Sequence, residues 1–205
     1  MIELNDKVVV ITGASRGIGL NIMTTFENNG AKVIPIARSL GCDVTNEGDI
    51  QKVTNSLDRI DILVNCAGLF SMSSLEKDNL FDEIMNTNVK GTINCIKSVL
   101  PIMKKQKSGK IINILSDVLT DLPPVGFSEY TANKAYIESL SKSWNVEYAK
   151  YGITSRNVYP SMMRTNLITT NIDSRIINQL EDQTPLGKFI STKEVAIAIK
   201  SIISD

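Results

Sequence analysis

Short apolar runs alternate with longer amphipathic segments along most of the chain. Runs rich in Val and Ile at residues 7–12, 31–37, 61–68, 110–115 and 153–159 predict strands buried on both faces of a sheet. Helix-like periodicity fills the stretches at residues 18–28, 46–57, 78–106 and 130–151. Strands that alternate with helices are typical of a parallel, doubly wound α/β (Rossmann-like) sheet. The pattern therefore predicts a single dinucleotide-binding domain over residues 1–205.

The connection after the second strand is unusually short. Only residues 38–41 separate that strand from Cys42-Asp43-Val44, whereas a doubly wound domain normally has a whole helix there, before its third strand. Either that helix is deleted or the third strand is a vestige. With this vestige counted, the sheet is expected to have about six strands.

Three residues are expected to shape the later helices. Pro101 should kink the last turns of the helix at 78–106, because proline cannot donate a backbone hydrogen bond. Gly152 should end the helix at 130–151, and Thr192 should cap the final helix at 192–204. The polar stretch between them is irregular, with one short helix expected near 174–180.

Composition narrows the classes of function. Hydrophobic residues make up 42% and charged residues 21%, which is typical of a soluble globular protein. The 22 basic and 22 acidic residues balance, so no overall field attracts nucleic acid or a membrane surface. The N-terminal residues lack a basic segment followed by an apolar run, and no stretch approaches ~20 apolar residues. We therefore expect a cytoplasmic protein.

Cysteine and histidine usage limits the chemistry further. Cys42, Cys66 and Cys95 are widely spaced and odd in number, which argues for small core residues and against a disulfide framework or a zinc site. The chain has no histidine, which excludes a Ser-His-Asp triad and removes the commonest transition-metal ligand. We expect no metal site, and we expect proton chemistry to use Tyr, Lys, Asp, Glu or Cys.

Glycines cluster directly after the first strand, in Thr12-Gly-Ala-Ser-Arg-Gly-Ile-Gly19. Glycine lets the backbone approach a pyrophosphate closely, and the helix that follows offers unpaired N–H groups at its positive dipole end. Such a cluster alone often marks only a tight turn, but a strand before it and a helix after it predict a dinucleotide site. The residues expected to bind the cofactor here are Gly13, Ser15, Arg16, Gly17, Ile18 and Gly19.

The end of the second strand bears on the choice of cofactor. An NAD-preferring site would have Asp or Glu there for the ribose hydroxyls, whereas this chain has Arg38, and Arg16 lies inside the glycine turn. Two guanidinium groups suit a 2′-phosphate. The sequence therefore favours NADP(H) over NAD(H), although exposed arginines could also serve only solubility.

Tyr130 and Lys134 stand four residues apart at the start of a long predicted helix. At this spacing both side chains project from one face. A phenol has a reference pKa of ~10, and a fixed ammonium one turn away favours the phenolate, so the pair could move a proton at neutral pH. Taken alone, the same pair is more often a packed tyrosine and a solvated lysine.

Together these motifs resemble the short-chain dehydrogenase/reductase family, in a shortened form. The similarity extends from residue 5 to about 200, and its motifs follow the family order: Thr12-Gly-Xaa3-Gly-Xaa-Gly, Asn65-Cys-Ala-Gly68, Asn86-Thr-Asn88-Val-Lys-Gly91, Ser116, Tyr130-Xaa3-Lys134, and Pro160 with Thr165. Each motif is weak alone, but jointly they are specific.

The resemblance implies a catalytic role for four residues. Tyr130 would be the acid/base on the substrate oxygen, and Ser116 would orient that oxygen. Lys134 would hold the nicotinamide ribose and lower the pKa of the tyrosine. Asn88 would maintain a helix kink and a water that relays protons.

The resemblance also implies cofactor contacts beyond the glycine turn and Arg38. These are Asp43 and Val44 at the adenine, Asn65, Ala67 and Gly68 along the cofactor, and Tyr130, Lys134, Pro160 and Thr165 at the nicotinamide end. Structural roles stay open for several of them. Ser116 could cap the strand end, Asn65 and Asn88 could be ordinary buried amides, and Asp43 and Thr165 could be turn or cap residues.

Three departures from the family pattern affect the expectations. The missing helix after Arg38 would leave the adenine side of the pocket more open. Ser161 follows Pro160 where the family typically has glycine, which could alter the backbone near the nicotinamide. The family's usual last strand is missing after the final helix, so we expect residues 153–159 to form an exposed sheet edge and the chain to form a homodimer through its long helices.

These observations leave two classes of function. The first is an NADP(H)-dependent oxidoreductase that interconverts a carbonyl and a secondary alcohol on a small molecule, which could be a 3-oxoacyl thioester, a ketone or a sugar. The second is a nucleotide-sensing or interaction protein that keeps the fold but turns over little. The presence of Ser116, Tyr130 and Lys134 together argues for the enzyme.

Overall fold

The structure is a computed structural model that describes residues 4–72, 80–120, 122–184 and 186–203. Its sheet has five parallel strands in the order β2-β1-β3-β4-β5. The strands are β1 (Val8–Thr12), β2 (Lys32–Ile36), β3 (Ile62–Asn65), β4 (Gly109–Ile114) and β5 (Ile153–Val158). This arrangement confirms the parallel, doubly wound sheet.

Helices cover both faces of this sheet. They are α1 (Gly17–Glu27), α2 (Glu47–Thr54), α3 (Phe81–Ile84), α4 (Gly91–Gln106), α5 (Ser128–Tyr148), α6 (Asn166–Thr169), α7 (Ser174–Asp182) and α8 (Thr192–Ile203). A π-helical turn, Met85–Lys90, joins α3 to α4, and short 3-10 turns lie at Arg38–Leu40, Asp117–Leu119 and Ala149–Tyr151. No helix among the described residues is long and apolar enough to cross a membrane.

Alternate residues of the central strands point into two different cores. Val9 and Ile11 of β1 pack on one face with residues of α1 and α8, such as Phe26 and Ile199. Val10, between them, packs on the other face with residues of α2, α4 and α5. Because side chains alternate along a strand, an uninterrupted apolar run fills both cores. The apolar runs of the sequence therefore form strands buried on both sides.

The segment at residues 42–44 contributes no strand. A single 3-10 turn, Arg38–Leu40, takes the place of the helix that a doubly wound domain normally has here. Cys42 and Val44 are buried against the core, and Asn94 of α4 donates a hydrogen bond from Nδ2 to the backbone oxygen of Val44 at 3.1 Å. The expectation of a sixth strand is therefore wrong, and both the helix and the strand are absent from this part of the described chain.

Strand β5 forms one edge of the sheet, as expected. Its outer backbone groups are partly paired, because Asn145 of α5 accepts a hydrogen bond from Ser155 N at 2.6 Å and also donates one to Ser155 O. Arg156 in the same strand donates from Nη1 to Ile202 O of α8 at 3.0 Å. Side chains therefore satisfy part of an edge that would otherwise be open to strand pairing.

Of three expected helix ends, one differs from the structure. Helix α4 contains Pro101 and ends at Gln106, as predicted. The cap of α8 is Ser191, because its backbone N–H donates to Glu194 Oε2 at 2.7 Å while its Oγ accepts from Glu194 N at 3.2 Å. This reciprocal pair is a capping box, so the prediction that Thr192 is the cap is wrong by one residue. Gly152 ends the segment after α5 with a φ of 67°, as predicted.

Candidate active site

A cleft of about 510 Å³ lies beyond the carboxyl ends of β1, β2 and β3. This is where doubly wound sheets bind their ligands. Twelve of the sixteen residues predicted to bind the cofactor line it: Gly13, Ser15, Arg16, Gly17, Ile18, Gly19, Arg38, Asp43, Val44, Ala67, Gly68 and Thr165. The structure therefore brings together residues from five separate segments of the chain.

The glycine turn is packed so closely that two of its glycines, Gly13 and Gly19, cannot be replaced without movement. A Cβ on Gly13 would lie 2.9 Å from Ala67 Cα, and one on Gly19 would lie 2.3 Å from Gly13 O. Gly13 also has a φ of 69°, in the left-handed region that favours glycine. The turn is thus pressed against the end of β3, and its backbone forms one wall of the cleft.

Thr12 holds the two strand ends together. Its buried Oγ1 accepts hydrogen bonds from the backbone N–H groups of Cys66 and Ala67, both at 3.0 Å. Helix α1 starts at this wall, and Arg16 at its N-cap makes no side-chain capping bond. A backbone cradle beside an uncapped helix N-terminus is chemically suited to a pyrophosphate, so the residues present fit a dinucleotide.

Arg16 and Arg38 both line the cleft and are exposed. Among the described residues neither guanidinium forms an ion pair. Both groups therefore keep their donors available for an anion.

Asp43 lines the cleft but also has a structural role. Its Oδ1 accepts hydrogen bonds from Thr45 N and Thr45 Oγ1, both at 2.9 Å. This is an Asx turn. Asp43 therefore has the turn role that the sequence left open, and it also forms part of the cleft wall.

Four predicted cofactor residues lie outside the cleft wall: Asn65, Tyr130, Lys134 and Pro160. Asn65 ends β3, where its Nδ2 donates to Asn113 Oδ1 at 3.0 Å. Its Oδ1 is buried without a hydrogen-bond partner in the described part of the chain. The Asn65 side chain thus contacts the neighbouring strand β4 and does not line the cleft.

Asn88 lies in the π-helical turn that interrupts the long helix. Its Oδ1 accepts from Leu69 N at 2.7 Å, and its Nδ2 donates to Leu69 O at 2.9 Å and to Asn133 Oδ1 at 3.0 Å. The side chain is therefore fully used as a buried amide that fixes the loop after β3 to α5. The irregular helix expected at this residue is present.

A smaller cavity of about 70 Å³ is lined by the predicted acid/base, Tyr130, but not by Lys134. Ser116 and Tyr130 both line it, together with Pro160. Ile18, Thr165 and Leu167 line this cavity and the cleft alike. The two cavities are therefore neighbours with a common wall, so a group in the cleft would adjoin one in the small cavity.

Tyr130 is held by aromatic packing at the start of α5. Its ring meets Phe70 edge-on with the centroids 5.1 Å apart, and Phe127 lies 6.5 Å away. Burial raises the pKa of the phenol, and a hydrogen bond with Ser116 lowers it only in part. The expected lowering of this pKa by Lys134 is therefore wrong in direction, because the loss of solvent outweighs any favourable charge.

Lys134 lies one turn further along α5. Its Nζ donates to Ile114 O at 2.7 Å and lies 5.5 Å from the centroid of the Tyr130 ring. Burial lowers the pKa of this amine to about 8. The ammonium thus bridges α5 to the end of β4, next to the two cavities.

Comparison with known proteins identifies the family. The family model described as short chain dehydrogenase matches residues 37–175, which is more than half of the chain. The chain belongs to the short-chain dehydrogenase family. It is therefore an NAD(P)-dependent oxidoreductase that acts on a CH–OH or C=O group.

Individual members of this family resemble the whole chain. A 3-oxoacyl-[acyl-carrier-protein] reductase of Vibrio cholerae is 32% identical over 225 residues, which cover 98% of this chain and 91% of the relative. The ligand-free aldohexose dehydrogenase of Thermoplasma acidophilum has a TM-score of 0.85 at 28% identity, covering 96% of this chain and 86% of its own. ElxO with NADP bound has a TM-score of 0.85 at 28% identity, covering 97% of this chain and 91% of its own.

Ser161 does not strain the backbone of this short-chain dehydrogenase. It lines the small cavity, and its φ is not in the left-handed region, where Asp6 and Lys107 are the two non-glycine residues among those described. Glycine is therefore not required at this position. The concern that serine here alters the backbone finds no support in the conformation.

Several residues of the site were not predicted individually, although they lie in the two stretches, 117–129 and 161–187, that were expected to shape the substrate pocket. They line the small cavity, and most are apolar: Asp117, Val118, Phe127, Met162, Met163 and Ile168. They come from loops and short helices without a motif, so periodicity could not assign them. Asp117 alone carried a signal, since it directly follows the predicted Ser116 at the end of a central strand.

Proposed function

We propose that this short-chain dehydrogenase is an NADP(H)-dependent enzyme that reduces a carbonyl group on a small molecule, or oxidises the matching secondary alcohol, with Tyr130 as the acid/base. The observation that carries the proposal is that Ser116 and Tyr130 line one small cavity that adjoins the dinucleotide cleft. A substrate in that cavity would meet a phenol and a hydroxyl beside the cleft, where we expect the nicotinamide ring to bind.

The bound dinucleotide supplies or accepts the hydride, and the protein supplies position and a proton. During reduction the Tyr130 hydroxyl donates its proton to the carbonyl oxygen as that oxygen gains negative charge. A raised pKa keeps this phenol protonated at neutral pH, which suits the role of acid. Alcohol oxidation needs the reverse transfer, to the phenolate.

Ser116 orients the substrate oxygen in this proposal. Its Oγ accepts a long hydrogen bond from Val118 N at 3.4 Å and donates another to Asp117 Oδ1 at 3.3 Å, in addition to its interaction with the Tyr130 hydroxyl. Hydrogen bonds of this length are weak. The Ser116 hydroxyl can therefore donate to a substrate carbonyl oxygen instead, at little cost. Lys134 would hold the nicotinamide ribose, and Asn88 would act as a positioning residue through Leu69 and Asn133.

The preference for NADP(H) rests on two arginines. Arg16 and Arg38 line the cleft, at the end where we expect the adenosine ribose, and both are exposed without an ion pair to a described residue. A 2′-phosphate would gain charge-assisted hydrogen bonds from them. The NADP in the ElxO structure is consistent with this choice.

Two further features stay predictions. A cytoplasmic location follows only from the sequence. A homodimer would form through the long helices, where the side chains of Tyr136 and Val146 on α5 are 50% and 82% exposed, enough to pack against a second copy. Sedimentation of the purified protein tests the dimer, and a stable tetramer would refute it.

The alternative is a nucleotide sensor with little turnover. The test is the absorbance of reduced nicotinamide, followed with NADPH and NADH against ketones, hydroxyketones, sugars and 3-oxoacyl thioesters. Oxidation of NADPH that depends on one of these carbonyl compounds, with NADH used less well, supports the enzyme. Tight binding of NADPH with no turnover on the whole panel would favour the sensor.

A further inference from the structure

One carboxyl group lies in the small cavity beside the proposed acid/base. Asp117 directly follows Ser116 and starts the 3-10 turn after β4. Among the described residues that line this cavity it is the one acidic side chain, and its neighbours include Phe127, Met162 and Ile168. A polar group in such a setting is where substrate orientation and specificity are usually decided.

The carboxyl group is held in place but keeps part of its capacity to accept hydrogen bonds. The backbone N–H of Asp117 donates to Pro160 O at 3.1 Å, which fixes the main chain. Its Oδ1 accepts the 3.3 Å hydrogen bond from Ser116, and hydrogen bonds from the backbone at Asp117 and Val118 also stabilise the carboxylate. No described residue forms an ion pair with it. A carboxylate has about four acceptor positions, so acceptors remain for a ligand.

Position relative to Ser116 indicates which part of a substrate this group would meet. In the proposed function, on which this inference rests, Ser116 binds the reacting oxygen. The hydrogen bond between Ser116 and Asp117 places the carboxyl within one side-chain contact of that oxygen. The substituent next to the reacting carbonyl carbon is therefore the one that faces Asp117.

We propose that Asp117 is a specificity-determining residue that selects carbonyl compounds with a hydroxyl group on the carbon next to the carbonyl. A hydroxyl donates to the carboxylate, whereas an acceptor such as the thioester oxygen of a 3-oxoacyl group meets an unfavourable like partner. The substrate class is thus a small hydroxyketone, in preference to a 3-oxoacyl thioester.

The rest of the cavity limits the other substituent of the substrate. The volume of about 70 Å³ is close to that of two water molecules, and its walls are largely apolar. A short, uncharged substituent fits there. Burial raises the pKa of Asp117, against the hydrogen bond from Ser116, so the preference should strengthen toward higher pH as the carboxylate form is populated.

The test compares hydroxyacetone with butanone, which differ only by a hydroxyl in place of a methyl group. We expect Asp117→Leu to lower the ratio of kcat/KM for hydroxyacetone to that for butanone by at least about tenfold, the scale of one hydrogen bond to a charged group. Asp117→Asn, of nearly the same shape, should lower the ratio less, and both should raise kcat/KM for an acetoacetyl thioester. Asp182→Asn, at an exposed aspartate outside the cavity, is the matched control and should change neither.

The outcomes separate this inference from the proposed function. If the wild-type enzyme reduces these ketones but the ratio stays within about twofold in both Asp117 variants, the role of Asp117 is refuted and the proposed function stands. If the wild-type enzyme reduces none of the carbonyl compounds, both are refuted. Affinity for NADPH verifies that each variant is folded, and Asp117→Asn decides the question where Asp117→Leu does not fold.

Discussion

The amine of Lys134 lies 5.5 Å from the centre of the Tyr130 ring and donates its hydrogen bond to Ile114 O. Burial shifts the two pKa values in opposite directions, up for the phenol and down for the amine. Both shifts favour the uncharged form. The pair is therefore arranged to keep a proton on Tyr130 at neutral pH, which is the state that carbonyl reduction requires.

Replacing Lys134 with methionine should stabilise the fold at neutral pH. The folded-state pKa of Lys134 is about 8, below the ordinary value of ~10.4, so protonation of the buried amine costs up to about 3 kcal/mol of unfolding free energy below pH 8. Loss of the hydrogen bond to Ile114 offsets about 1 kcal/mol of the gain. We expect Tm to rise by about 5 °C at pH 7.

The stabilisation by Lys134→Met should depend on pH. Between pH 8 and about 10.4 the unfolded chain binds more protons at Lys134 than the folded chain, so the wild-type protein becomes more stable as pH rises. The difference in unfolding free energy between Lys134→Met and the wild type should therefore decrease over this range. Thermal unfolding from pH 7 to 10 measures the difference. Lys142→Met, at a 69% exposed lysine on the same helix, is the control. A Tm difference that does not change with pH would contradict the account.

Replacing Arg38 with aspartate should reverse the cofactor preference. The substitution removes a guanidinium from the cleft and adds a charge that repels a 2′-phosphate. We expect Kd for NADPH to rise by about tenfold to a hundredfold, while Kd for NADH changes little. Fluorescence titration with each cofactor measures both constants, with the exposed Arg175→Asp as control. If the Kd for NADPH and the Kd for NADH rise by the same factor, Arg38 does not recognise the 2′-phosphate.

Replacing Asn145 with alanine should expose the edge of the sheet. This side chain pairs with both backbone groups of Ser155 on the edge strand, and its loss leaves them open to another chain. We expect the unfolding free energy to fall by about 1–2 kcal/mol and light scattering on mild heating to increase. Ser143→Ala, two residues earlier on α5, should change neither. Unchanged scattering would show that β5 is protected in another way.

Much of the fold was predictable because it depends on periodic patterns. Val9, Val10 and Ile11 are all apolar, and a run without alternation has few structures other than a strand covered on both faces. The glycine turn was predictable for a similar reason, since Gly13 and Gly19 occupy positions that no Cβ can enter. Local chemistry decides these features, so local sequence reveals them.

Features that depend on tertiary contacts were not predictable. The cap at Ser191 is not one of these features, because Ser191-Xaa-Xaa-Glu194 is the local sequence pattern of a capping box. The rise in the pKa of Tyr130 comes from the burial of its ring against Phe70 and Phe127, which helical spacing does not reveal. Contacts between distant segments likewise determine the roles of Thr12 and Asn145.

The measurement that tests the central claim most directly is ketone-dependent oxidation of NADPH by Tyr130→Phe. The phenol proton is the group that the account assigns to catalysis, so its removal should lower kcat by about 10²–10⁴-fold with little change in Kd for NADPH. Tyr136→Phe, at the half-exposed tyrosine on the same helix, should keep wild-type activity. Turnover by Tyr130→Phe within about threefold of the wild-type rate would contradict the account.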